Sequence, residues 1–174
     1  LDYSGEEINE GSKLVIAAFG DKKRELSLNV PMCMSGCTGV TRSKMMMEGV
    51  LGIVMTAFTD HKTARSEIKA LSDWMKERIS EFEGIVQVII HDEFVASASA
   101  LNDYVWITYT RSNPSHDVYG VDEFTENKHW GCRGPMIIDA RKKPHHAPEL
   151  KVAVETEKSI ERFFNKGGPL EQWA

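Results

Sequence analysis

Val50-Leu51-Gly52-Ile53-Val54-Met55-Thr56-Ala57-Phe58 is a continuous apolar run, followed at once by Thr59 and Asp60. An unbroken apolar strand is the kind covered on both faces. Thr and Asp are helix N-cap types, because their side-chain oxygens accept hydrogen bonds from the first unpaired backbone N–H groups. The next apolar residues are Ala64, Ile68, Leu71, Met75, Ile79 and Phe82. Their steps of three and four predict one face of a helix, and Gly84 stands where a left-handed residue would stop it. Ile85-Val86-Gln87-Val88-Ile89-Ile90 then reads as a second buried strand, closing on His91-Asp92-Glu93.

The same reading extends outward in both directions. Ser97 or Ser99 is placed to cap a second helix carrying Leu101, Tyr104, Val105 and Thr108, with Trp106 read as core. Met136-Ile137-Ile138 is a third short strand, ended by Asp139. Thr156 is placed to cap a last helix with Ile160, Phe163 and Phe164 turned inward, stopped by Gly167-Gly168. Toward the N-terminus, Lys13-Leu14-Val15-Ile16-Ala17-Ala18-Phe19 reads as a buried strand, and residues 1–12 as a linker or ragged terminus. Residues 31–49 hold Pro31, three glycines and five methionines without a clean period, and read as loop with one short helix. Residues 112–135, with two prolines and three glycines, read as one long loop. Loops of that length are usually lids or binding loops, and an ordered lid or interface loop is expected.

Strands alternating with helices imply an α/β fold: a three-layer αβα domain over residues 13–174, with a mainly parallel sheet and helices on both faces. Ligands in such folds sit beyond the carboxyl ends of the strands. Here those ends are Thr59-Asp60-His61, His91-Asp92-Glu93 and Asp139-Ala140-Arg141.

Composition bounds the function. The 174 residues are 41% hydrophobic and 27% charged, with a net charge of −5. That suits an ordered globular chain and leaves no basic face for nucleic acid. The densest basic runs, Lys22-Lys23-Arg24 and Arg141-Lys142-Lys143, read as solvated turns. No apolar run reaches the roughly 20 residues of a membrane span. Cys33, Cys37 and Cys132 lack zinc spacing and read as free thiols. With no signal peptide in view, a cytoplasmic location is the default. The sequence opens on Leu1 rather than Met, which reads either as a trimmed chain or as one piece of a longer protein.

Candidate chemistry is sparse. There is no GxGxxG after a strand and no Walker lysine. Ser35-Gly36-Cys37-Thr38-Gly39 reads as a flexible turn rather than an anion cradle, and no metal ligand set is evident. The best polar cluster is His91-Asp92-Glu93, with Arg111 as partner. A guanidinium matches a carboxylate bidentately, so Arg111 is expected to pin the base of the lid. Tyr119 and Phe124 are the aromatic candidates within it.

Several stretches together resemble the C-terminal α/β domain of the UbiD-like carboxy-lyases. They are Ile89-Ile90-His91-Asp92-Glu93, the run Leu101-Asn102-Asp103-Tyr104-Val105-Trp106 with Thr110-Arg111 through Pro114 to Asp117, and Asp139-Ala140-Arg141-Lys142-Lys143-Pro144. Arg141 stands where that family usually has threonine. These are prenylated-FMN-dependent, non-oxidative decarboxylases or carboxylases of aromatic or α,β-unsaturated acids. The resemblance implies an oligomerising domain, a dimer or larger, that closes one side of an active site. Prenylated FMN, a divalent metal and potassium would belong to a preceding flavin-binding domain or catalytic subunit. It therefore implies no catalytic, cofactor-binding or metal-binding residue in this chain, with Asp92, Glu93, Arg111, Tyr119 and Phe124 as lid or substrate-side candidates. The alternatives are a separately encoded, non-catalytic small subunit of such an enzyme, or an unrelated small-molecule-binding α/β domain.

Overall fold

The computed structural model describes residues 14–17, 19–93, 100–146 and 154–173. Its elements are β1 (Arg42–Met47), β2 (Val50–Val54), α1 (His61–Lys76), β3 (Gln87–His91), α2 (Ala100–Arg111), β4 (Val118–Gly120), β5 (Glu123–Glu126), β6 (His129–Cys132), β7 (Met136–Asp139) and α3 (Val154–Phe164). One sheet has the order β1-β2-β3-β7-β4, and β5 and β6 form a separate pair. The central strands β2, β3 and β7 are parallel, and the edges β1 and β4 run antiparallel to them. The chain forms two compact units, Leu1–Pro144 and His145–Ala174.

Every residue of β2 and β3 is buried, and the period of two divides them between two cores. Leu51, Ile53, Val88, Ile90 and Ile137 pack with Ile68, Leu71 and Met75 of α1. Val50, Ile89 and Ile138 pack on the other side with Tyr104 of α2. The α/β fold with helices on both faces of the sheet is thus present. Asp60 caps α1: its Oδ1 accepts from the backbone N–H groups of Lys62 and Thr63, each at 2.9 Å.

Several sequence expectations change. Residues 14–17 and 19 form no strand, and Val15 and Phe19 lie in solvent. The first helix ends at Lys76, and Ile79–Phe82 form a separate 3₁₀ turn that buries Phe82 but leaves Ile79 largely exposed. Gly84 does adopt the left-handed conformation, at φ +77°. Residues 31–49 contain a whole strand, β1, after the short 3₁₀ helix Met32–Gly36. Met34 and Met46 are core residues, whereas Met32 is exposed. The expected long loop is instead β4 and the β5–β6 hairpin, turning through Asn127 and Lys128 at φ 50° and 68°. Trp106 is 70% exposed, not core. In the second unit, α3 starts ahead of Thr156, and Ile160 and Phe163 are half exposed rather than turned inward. Ser97 and Ser99 lie outside the described residues.

Candidate functional site at the carboxyl ends of the strands

Alternation along β7 continues past its last paired residue. Ile137 faces α1, and Asp139 and Arg141 follow in the same phase, Arg141 reaching Glu67 of α1. Arg141 Nε and Nη2 donate to Asp139 Oδ1 and Oδ2, each at 2.9 Å. Its Nη1 donates to Glu67 Oε2 of α1 at 2.6 Å and to the Thr56 carbonyl beyond β2 at 3.0 Å. Glu67 Oε1 in turn accepts from the Thr56 hydroxyl at 3.0 Å. The Arg141 side chain is 0% exposed and that of Asp139 1%. Burial alone would lower the guanidinium pKa, but Asp139 and then Glu67 outweigh it and hold the group above its usual range.

Lys143 is buried too. Its ammonium donates to the carbonyls of Asp139 at 2.8 Å and Arg111 at 3.0 Å, and lies 3.3 Å from Asp117 Oδ2. That carboxylate oxygen also accepts from the Asn113 N–H at 2.7 Å. The Phe58 ring lies 5.8 Å from Arg141 Cζ and 5.5 Å from Lys143 Nζ, within cation–π range. The expectation that Arg141-Lys142-Lys143 forms a solvated turn is therefore corrected: only Lys142 is exposed. For Arg141 the phase shared with Ile137 was the available signal, masked by reading three basic residues as a run.

Asp92 and Arg111 do come together. Arg111 Nη1 is 3.9 Å from Asp92 Oδ2, and both side chains are about one-fifth exposed. The contact is a single long ion pair, not a bidentate one. Asp92 Oδ2 has a shorter bond, accepting from the Lys142 N–H at 2.6 Å. Glu93 is exposed. Tyr119 is half-buried on β4, in a groove of about 530 Å³ that Arg65 also lines, and burial pushes its phenol pKa up. Phe124 lies on β5 across from Gly131, with Arg133 Cζ 4.8 Å from its ring.

These groups favour structure over direct chemistry. Four of the five guanidinium hydrogens of Arg141 are already used by Asp139, Glu67 and Thr56. The Lys143 donors go to carbonyls and Asp117. A cofactor phosphate would have to break these pairs, so Arg141 and Lys143, among the described residues, do not fit the phosphate of a flavin mononucleotide. Among the described residues, no three His, Cys, Asp or Glu side chains converge as a metal cage. Burial raises the pKa of Cys37 and Cys132, and Cys33 is pushed up to about 11 by burial and Glu81. All three thiols therefore stay protonated at neutral pH.

No protein-family model matches the chain. A Chlamydia pneumoniae protein that carries the name of a 4-hydroxybenzoate decarboxylase subunit is 25% identical over 162 residues, which is 92% of this chain and 25% of that protein. An uncharacterized protein of Chlamydia muridarum is 24% identical over 168 residues, 95% of this chain and 26% of its own length. The chain spans about a quarter of the length of the curated relatives it matches. The Sedimentibacter hydroxybenzoicus vanillic acid decarboxylase, in its open form, matches with TM-score 0.44 and 18% identity, over 73% of this chain and 29% of that one. At the level of sequence, the chain is thus similar at low identity to proteins that include one named for a decarboxylase. No helix among the described residues is long and apolar enough to cross a membrane.

Proposed function

We propose that this chain is the C-terminal α/β portion of a UbiD-like carboxy-lyase, an enzyme that removes or adds carbon dioxide on an aromatic or α,β-unsaturated acid. The observation that supports this most is the similarity, across 92% of the chain, to the Chlamydia pneumoniae protein named for 4-hydroxybenzoate decarboxylase. That the relatives are about four times longer favours a portion of a larger polypeptide over a separately encoded small subunit.

In this reading prenylated FMN, a divalent metal and potassium are held by the rest of the enzyme. The cofactor would supply the covalent chemistry there. This chain would self-associate and close one side of the active site. The buried Asp139–Arg141–Glu67 network supports the role of a rigid body, because it ties the ends of β2 and β7 to α1.

Two measurements test the proposal. The complete protein, produced with a source of prenylated FMN, is expected to release carbon dioxide from 4-hydroxybenzoate or a related acid, and to lose both turnover and assembly when this portion is deleted. The isolated chain is expected to purify without flavin absorbance. A stoichiometric flavin on the isolated chain, or unchanged turnover after the deletion, would overturn the reading.

A further inference from the structure

The end of the sheet that holds Arg141 also brings together two histidines that are distant in the sequence. His61 is the first residue of α1, and His116 lies in the turn between α2 and β4. Their ring centroids are 5.6 Å apart, with planes inclined at 38°. Both side chains are exposed, yet each ring is held. Phe58 meets His61 edge-on, centroid to centroid 5.1 Å. His116 Nδ1 lies 2.6 Å from Ser115 Oγ, which lies 2.8 Å from Asn113 Oδ1.

The hydrogen positions follow from this chain of contacts. Asn113 Oδ1 also accepts from the Ser115 backbone N–H at 3.0 Å, which fixes it as the oxygen. An amide oxygen only accepts, so the Ser115 hydroxyl hydrogen points to it. The hydroxyl oxygen then accepts from His116 Nδ1–H, and the lone pair of the ring is left on Nε2. Metal-bound histidines are commonly oriented this way, one nitrogen donating to an outer group while the other faces the ion. An ion about 2.1 Å from each ring nitrogen, at a near-tetrahedral angle, places two imidazole centroids roughly 5 Å apart. The separation found is close to that.

We propose that His61 and His116 form an open two-histidine site for a borderline-soft divalent cation, Zn²⁺ or its analogues Co²⁺ and Ni²⁺. Solvent fills the remaining positions, so binding is of micromolar rather than structural strength. The site stands apart from the proposed carboxy-lyase role. Sequence reading does not reach it, because only the packing of the 113–117 turn beside α1 makes the two histidines neighbours.

The test titrates the 174-residue chain with Co²⁺ and then Zn²⁺, read by visible absorption and by calorimetry. One saturable Co²⁺ site, displaced by Zn²⁺, is expected. His61→Ala and His116→Ala should each weaken it at least tenfold, and Ser115→Ala about tenfold through loss of the outer hydrogen bond. His145 and His146 form another histidine pair, with centroids 4.6 Å apart, so a variant with both changed to Ala is the control and should keep the site. No saturable binding below millimolar Co²⁺ overturns the proposal. So does binding that survives His61→Ala but is lost from the His145/His146 variant. His61, Ser115 and His116 are exposed, and circular dichroism checks that each variant is folded.

Discussion

Arg141 and Asp139 grip each other through two parallel hydrogen bonds of 2.9 Å, with both side chains shut off from solvent. A buried pair of this kind owes its strength to geometry. The desolvation cost of each ion is large, and the matching fork of donors and acceptors offsets it. Glu67 and the Thr56 carbonyl absorb the remaining face of the guanidinium. The cluster therefore acts as a cross-link between β2, α1 and β7 at the end of the sheet where such folds bind ligands.

Arg141→Met should lower the unfolding free energy by roughly 3–5 kcal/mol, because it strands the Asp139 carboxylate in a dry interior. Adding Asp139→Leu should recover part of that loss, since two apolar side chains carry no unpaired charge. Urea melts of the single and double variants measure the difference. A double variant as unstable as the sum of the two singles would show that the pair is not the unit of stability.

Arg111→Lys should cost under about 1 kcal/mol, the scale of a partly exposed ion pair. The sequence suggests a clear loss, on the assumption of a bidentate contact. In the fold the Arg111–Asp92 contact is one 3.9 Å approach, and an ammonium can make that as well. Arg141→Lys is the contrasting change. It gives up at least one charge-assisted hydrogen bond and should cost roughly 1.5–3 kcal/mol. Parallel urea melts in which Arg111→Lys proves the more damaging of the two would reverse this ranking.

The contrast shows where the sequence is readable. β2, β3, β7 and α1 were legible because burial on both sheet faces makes unbroken apolar runs, and burial of one helix face makes steps of three and four. β1 was not, because its register shifts between Met45 and Met47 and breaks the alternation. The β5–β6 turn uses Asn127-Lys128 in left-handed backbone without a glycine to announce it. The apolar residues Val15, Ile16 and Phe19 imitate a strand yet lie in solvent. At the candidate site, the pairing of Arg111 with Asp92 was readable from the acids at the end of β3 and the arginine at the end of α2. The stronger Arg141 cluster was not, because Glu67 and Thr56 reach it from other elements.

Gly84→Ala should destabilise the chain by about 2 kcal/mol or more. At φ +77°, an added Cβ would sit 2.7 Å from Ser27 N and 2.9 Å from Glu25 O, both backbone atoms. The Ser27 N–H to Gly84 carbonyl bond of 3.0 Å would be forced apart. Gly36→Ala is the control. Its backbone is not left-handed and nothing lies within 4 Å of an added Cβ, so it should be neutral or up to about 1 kcal/mol stabilising. Equal thermal midpoints for the two variants would mean that the crossing at Gly84 carries no strain.

His91 should make stability depend on mildly acidic pH. Its ring is 2% exposed at the end of β3, and burial first, then the charges of Lys44 and Arg111, push its pKa down from 6.5 to about 4. Between those values the unfolded chain binds a proton that the folded chain refuses, so stability rises with pH there. The full stability is present above about pH 6.5. It falls as the pH drops toward 4, and below that this residue adds no further loss. The whole effect is up to roughly 3 kcal/mol, of which about 2 kcal/mol should be gone at pH 5. Asp60 and Asp122 have pKa values held below 3.8 by their hydrogen bonds and so act at lower pH. Urea melts at pH 7 and pH 5 measure the slope, and His91→Gln should flatten it, because an amide does not titrate. An unchanged slope in the variant would assign the acid sensitivity to other groups.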